Sequence, residues 1–212
     1  MIIKIFPMGL VNANAYLLID EKSKEAVIID LGADYKIIKD EIDKYDAKLK
    51  YILNTHGHFD HVMGDYEAQK FFNVPVYVHK LDKEMVENLP KQLEKFGFSE
   101  CPQAPKNISV FDEDDEFYIG DTKIKVIHTP GHTKGSSCFL VNDNLFSGDT
   151  LFYTSVGRTD FEGGSFADMT DSIKNKLFTL NDNITVYPGH EGKTTIGYEK
   201  KYNCYFGSEN II

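Results

Sequence analysis

Apolar residues recur along this chain in short alternating or unbroken stretches, each bounded by polar turns. Met1-Ile2-Ile3-Lys4-Ile5-Phe6-Pro7 reads as a first strand, because no charged start leads into an unbroken apolar stretch as it would in a secretory leader. Tyr16-Leu17-Leu18-Ile19 and Ala26-Val27-Ile28-Ile29 predict two strands joined by the polar turn Asp20-Glu21-Lys22-Ser23, an antiparallel hairpin. Ile37, Ile38, Ile42 and Tyr45 fall at helical spacing over 34–45, and Tyr51-Ile52-Leu53-Asn54 follows as a short buried strand. A helix is expected over 62–72, a strand over 74–79, and helical segments over 81–98 interrupted by Pro90.

After a loop over 100–107 the pattern turns to strands, at 116–119, 123–127, 137–141 and 145–146, with a turn at Gly120-Asp121. A helix over 166–180, a strand over 184–187 and a last helix over 195–202 complete the chain. Each half therefore runs strands first and helices later. Two sheets packed face to face, with helices on both outer sides, bury all of these elements around one core. The expected class is α/β, an αββα sandwich, and with no internal linker residues 1–212 are read as one domain.

Composition narrows the function classes. The chain has 212 residues, 42% of them hydrophobic, with 15 Phe and 12 Tyr, which is globular rather than disordered. Its 33 acidic and 23 basic residues give a net charge of -10, and the longest basic cluster is Lys200-Lys201, so a nucleic-acid partner is not expected. No apolar run approaches the roughly 20 residues needed to span a bilayer, so no membrane partner is expected and the protein is placed in the cytoplasm. Cys101, Cys138 and Cys204 lie far apart without CxxC spacing, so neither a disulfide framework nor a thiolate metal site is supported.

The sharpest feature is Thr55-His56-Gly57-His58-Phe59-Asp60-His61, directly after the strand that ends at Asn54. Imidazole and carboxylate suit Zn²⁺, and also Fe or Mn, and a loop after a strand end can fan side chains toward two neighbouring points. Three further segments share the pattern: Thr129-Pro130-Gly131-His132, Ser147-Gly148-Asp149-Thr150 and Tyr187-Pro188-Gly189-His190. Each sets a His or Asp behind a Gly just past a strand end, so several strand ends are expected to converge on one edge of the sandwich. Together the four segments offer seven ligands, enough for two metal ions.

In that order the segments resemble the metallo-β-lactamase superfamily, whose HxHxDH signature stands here as His56, His58, Asp60 and His61. Ser147-Gly148-Asp149-Thr150-Leu151-Phe152 followed by Gly157-Arg158-Thr159-Asp160-Phe161 looks most like short glyoxalase II-type hydrolases, and like persulfide dioxygenases of the same fold. The resemblance implies a first metal on His56, His58 and His132, a second on Asp60, His61 and His190, and Asp149 between them. Asp60 and Asp149 are its candidate catalytic carboxylates.

Two divalent ions about 3.5 Å apart would lower the pKa of a shared water enough to give a hydroxide near neutral pH. A thiolate leaving group needs no dedicated general acid, so the expected reaction is hydrolysis of a small-molecule thioester such as hydroxyacylglutathione, with two divalent ions, Zn²⁺ foremost. Arg158 is the candidate for a substrate carboxylate, by analogy with the basic residue glyoxalase II enzymes use in this loop. Those enzymes append a helical domain, whereas this chain ends about twenty residues after His190. Tyr153 and Phe161 are candidate pocket residues, while His79 and His128 are read as structural.

Competing readings keep the fold. A persulfide dioxygenase would hold one Fe on His56, His132 and Asp149, and lactones or other esters also suit an activated water. A flavodiiron protein is disfavoured because that group generally carries Glu where His58 stands. An RNA nuclease is opposed by the acidic charge, and a non-enzymatic binding module by the intact set of seven ligands.

Overall fold

The computed structural model describes residues 1–98 and 101–209. Its first sheet holds β1 (Ile2–Met8), β2 (Ala13–Ile19), β3 (Glu25–Ile29), β4 (Lys48–Leu53), β5 (Val76–His79) and β6 (Ser109–Phe111), side by side in chain order. The steps from β1 to β3 are antiparallel and those from β3 to β6 are parallel. Parallel neighbours need a crossover, and helices supply it: α1 (Lys36–Lys44), then α2 (Phe59–Val62) and α3 (Asp65–Phe72), then α4 (Lys83–Glu87) and α5 (Leu89–Lys95).

The second sheet is built from β7 (Glu116–Ile119), β8 (Thr122–His128), β9 (Ser137–Val141), β10 (Asn144–Gly148), β13 (Thr185–Pro188) and β14 (Thr194–Thr195), in spatial order β14-β13-β10-β9-β8-β7. Between β10 and β13 lie the small hairpin β11 (Leu151–Phe152) and β12 (Ser155–Val156) and then α6 (Phe166–Asp171); α7 (Ile196–Tyr202) follows β14.

Alternation along β2 shows how the layers form. Ala15, Leu17 and Ile19 pack with Ile38 and Ile42 of α1 and Ala68 of α3, while Tyr16 and Leu18 face Phe139 and Phe146 of the second sheet. On the far side, Met169, Ile173, Leu177 and Ile196 cover Cys138, Leu145 and Val186. This is the αββα sandwich expected from the strand and helix order. Leu18 is fully buried between the sheets, and its truncation to Ala is expected to cost about 2–5 kcal/mol.

Several elements differ from their sequence reading for tertiary reasons. The helix expected over 62–72 is two helices, broken at Gly64, whose N–H donates to the Leu31 carbonyl at 2.8 Å. A Cβ there would lie 1.9 Å from the Ala33 carbonyl oxygen, so close backbone approach replaces a helical turn. Pro90 does interrupt the segment over 81–98, and it sits in the first turn of α5, where its missing N–H costs nothing. The helix over 166–180 continues past α6 as a widened turn at Ser172–Lys176 and a tightened one at Leu177–Thr179. Of the loop over 100–107, Glu100 lies outside the described residues. β6, β11, β12 and β14 are too short to print a periodicity. No helix among the described residues is long and apolar enough to cross a membrane.

Candidate metal centre

The carboxyl ends of β3, β4, β8, β10 and β13 open on one edge of the sandwich, and the loops that leave them carry the charged groups. Backbone hydrogen bonds fasten those loops to one another: Leu31 N–H to the His61 carbonyl at 2.7 Å, Ser137 N–H to the Thr55 carbonyl at 2.8 Å, and Gly189 N–H to the Gly148 carbonyl at 2.8 Å. Gly189 is required for this closeness, because a Cβ would stand 2.2 Å from Asp149 Oδ1 and 2.8 Å from His61 Cε1. Gly148 has φ +48° and presses on Thr55 in the same way.

All seven predicted ligands meet there. Three groups have their ligand atoms within 4.8 Å of one another: His56, His58 and His132; His56, His61 and Asp149; and Asp60, His61 and His190. Nδ1 of His58 faces Nε2 of His132 at 2.8 Å. Asp149 lies between the groups, with Oδ1 3.4 Å from His61 Nε2 and Oδ2 3.4 Å from His132 Nε2 and 3.6 Å from His190 Nε2. Asp60 Oδ2 is 3.3 Å from His190 Nε2.

The residues fit a metal centre on a specific physical test. His56 Nε2, His61 Nε2 and Asp149 Oδ1 are buried with no hydrogen-bond partner, a costly arrangement for polar atoms that a cation would satisfy. The opposite ring nitrogens are occupied. His61 Nδ1 donates to Asp30 Oδ2 at 2.9 Å, His132 Nδ1 to the Arg158 carbonyl at 2.6 Å, and His190 Nδ1 to the Val11 carbonyl at 3.2 Å. Those bonds turn each Nε2 lone pair into the centre.

Electrostatics divides the set. Burial first, and the neighbouring imidazoles second, push His56 below the usual histidine range and His58 down to about 4. Burial alone would also lower His61 and His190, but the carboxylates of Asp60 and Asp149 outweigh it and raise both. Burial would raise Asp60 and Asp149, and the facing imidazoles, His61 above all, hold them low.

Two buried carboxylates escaped the sequence reading. Asp30 accepts from Thr55 N–H at 2.7 Å and Thr55 Oγ1 at 2.8 Å as well as from His61. It shares the signal of the other segments, an acidic residue past a strand end near a glycine, here Gly32. Asp82 accepts from Gly57 N–H, Thr133 Oγ1 and Gly135 N–H, and nothing in its local sequence marks it.

The centre floors a cleft of about 940 Å³. Phe161 and Arg158 line it, and Phe161 lies edge-on to His58 at 5.4 Å. The Arg158 guanidinium is held by Asp160 through bonds of 2.9 and 2.8 Å and covers the Phe161 ring at 4.2 Å. Tyr153 is not among the lining residues; it stacks on Tyr198 at 5.3 Å. His128 Nε2 donates to the Lys134 carbonyl at 2.9 Å, and the ring stacks on buried His79 at 4.2 Å. Both histidines stand apart from the three ligand groups.

Residues 8–190 match the model of the metallo-beta-lactamase superfamily. The chain belongs to that superfamily. Within it, this member is 34% identical over 211 residues to the hydroxyacylglutathione hydrolase GloC of Haemophilus influenzae, covering 98% of this chain and 99% of that enzyme. Among solved structures it is similar to TTHA1623 in a di-iron-bound form, with 31% identity, a TM-score of 0.86, and 96% and 100% of the two chains covered. It is also similar to ETHE1 from Myxococcus xanthus, with 28% identity, a TM-score of 0.78, and 99% and 86% covered. The superfamily fold and the His/Asp cluster make this a metal-binding enzyme fold of hydrolase type.

Proposed function

We propose that the protein hydrolyses thioesters at a centre of two divalent ions, the first on His56, His58 and His132, the second on Asp60, His61 and His190, with Asp149 shared. The observation that carries this reading is Asp149 itself, whose two oxygens lie 3.4 Å from a histidine of either set. Zn²⁺ suits imidazole and carboxylate ligands and a thiolate leaving group, while Fe or Mn suits the same donors. Bound there, the ions supply water activation and Lewis acidity.

The chain's own residues do the rest. Asp30 and the Arg158 and Val11 carbonyls fix the ring orientations of His61, His132 and His190. Asp60 and Asp149 offset cationic charge, and Phe161 packs edge-on against His58 of the first set. Water adds to the acyl carbon, the carbon–sulfur bond breaks, and a carboxylate and a thiol result. Arg158 meets a substrate carboxylate at the cleft once Asp160 yields it.

Similarity to a hydroxyacylglutathione hydrolase over nearly the full length of both chains supports a hydroxyacyl thioester as the small-molecule substrate. A cytoplasmic setting accords with such a metabolite. The complete second set favours hydrolysis over a one-iron dioxygenase, which has no chemical need of Asp60, His61 and His190.

Parallel assays test the reading. Under anaerobic conditions the zinc-loaded protein should release thiol from lactoylglutathione, with no O₂ uptake from glutathione persulfide in air. A protein that carries one Fe, leaves thioesters intact and consumes O₂ would overturn it.

A further inference from the structure

Asp82 precedes α4, at a position where an aspartate ordinarily caps the helix by accepting from its first free N–H groups. Its side chain makes no such bond. It turns instead into the protein, where it is 1% exposed and accepts three hydrogen bonds. Oδ2 takes the Gly57 N–H at 3.0 Å and the Thr133 hydroxyl at 2.6 Å, and Oδ1 takes the Gly135 N–H at 2.8 Å.

Those three donors belong to two different loops. Gly57 stands between His56 and His58, and Thr133 follows His132. One buried carboxylate therefore ties together the two segments that carry the imidazole-only set. The fit is close: a Cβ on Gly135 would lie 2.6 Å from Asp82 Cγ, so the loop can approach the carboxylate only as glycine.

We propose that Asp82 is the positioning residue of the first metal set, the group that fixes His58 and His132 at ligating separation. It touches neither ion nor substrate. The inference rests on the reading that His56, His58 and His132 hold one ion and Asp60, His61 and His190 the other. Asp30 holds His61 of the second set directly and reaches His56 through the Thr55 hydroxyl, whereas the bonds of Asp82 go to the segments of His58 and His132.

Replacement by Asn keeps the shape but turns one acceptor into a donor. Either Gly135 loses its partner, or Gly57 and Thr133 lose theirs and face an N–H₂ group. Loss of an outer hydrogen-bond partner typically weakens metal affinity by roughly 10–100-fold.

The test is site-resolved. Metal-free protein is reloaded with Zn²⁺ against a chelating competitor, and bound ions are counted by elemental analysis in His58→Ala and His190→Ala backgrounds. Each background should retain one ion, on the second and the first set respectively. Asp82→Asn should weaken that ion roughly 10–100-fold in the His190→Ala background and leave it unchanged in the His58→Ala background. Thr133→Val, which removes one of the three bonds, should act on the same ion more weakly and carries the test if Asp82→Asn does not fold. Equal weakening in both backgrounds, or none in either, would overturn the positioning role. Backgrounds that do not each retain one ion would instead defeat the two-ion reading on which it rests.

Discussion

His56, His58 and His132 make a set of imidazoles without a carboxylate of their own, enclosed by loops that Asp82 ties together from inside. Asp60, His61 and His190 make a set charged by a carboxylate, and one wall of it is the β1–β2 connection that offers the Val11 carbonyl to His190. In the first set His56 and His58 are pushed toward the neutral, ligating form. The second holds histidines that the surrounding carboxylates keep protonated to higher pH in the metal-free protein. A cation reaching the second set therefore competes with protons on His61 and His190, whereas His56 and His58 of the first offer little such competition. One centre thus contains a preformed half and a half whose charge balance depends on what it binds.

The variant expected to have the largest effect removes what joins the halves. Asp149→Ala deprives both sets of a shared anion and should lose most of both ions, lowering turnover by roughly three orders of magnitude or more. Elemental analysis and thioester turnover on the same preparation check this. Full occupancy in Asp149→Ala would show that the halves are independent.

Asp149 and the six candidate ligands around it were legible in the sequence because they stand in four glycine-containing segments just past strand ends, in a fixed order along the chain. Asp30 shares that context beside Gly32 but lies outside the histidine-rich run. Asp82 could not be read, because its three donors come from residues 25 to 53 positions away and meet it only through tertiary packing. The fold divides in the same way. Long alternating strands such as β2 print a pattern on both faces, whereas β14 and the break at Gly64 are set by neighbours rather than by local periodicity.

A smaller effect separates the halves by pH. His58 sits at about 4 in the folded metal-free chain and near 6.5 when unfolded, so the unfolded state binds more protons between those values. Stability from His58 is full above about pH 6.5 and is lost as pH falls through that window, an effect of about 3 kcal/mol. His61 and His190 are raised, so their contribution has the opposite sign: full below about pH 6.5 and lost as pH rises through their folded values. Chemical denaturation of chelator-treated protein should show stability declining on both sides of that pH. His58→Asn, which does not titrate, should make the decline on the acid side shallower, with His56 and His79 still contributing to it, and leave the other side unchanged.

The smallest effect concerns Arg158, which stands outside both halves and is held by Asp160. Arg158→Ala should raise KM for an anionic thioester about tenfold, with kcat little changed, because a charged hydrogen bond contributes about 1.5–3 kcal/mol. Asp160→Ala frees the guanidinium and should lower the same KM. A neutral thioester, measured beside it, should respond to neither variant. Equal responses of the two substrates would remove Arg158 from substrate recognition.

The central claim, two ions on two sets joined by Asp149, is tested most directly by anomalous diffraction at the metal edge of the loaded protein. Two peaks are expected, one within about 2.0–2.2 Å of nitrogens of His56, His58 and His132, the other at similar distance from Asp60, His61 and His190, with Asp149 reaching both. A single peak at full occupancy, or a second ion placed away from Asp60, His61 and His190, would contradict it.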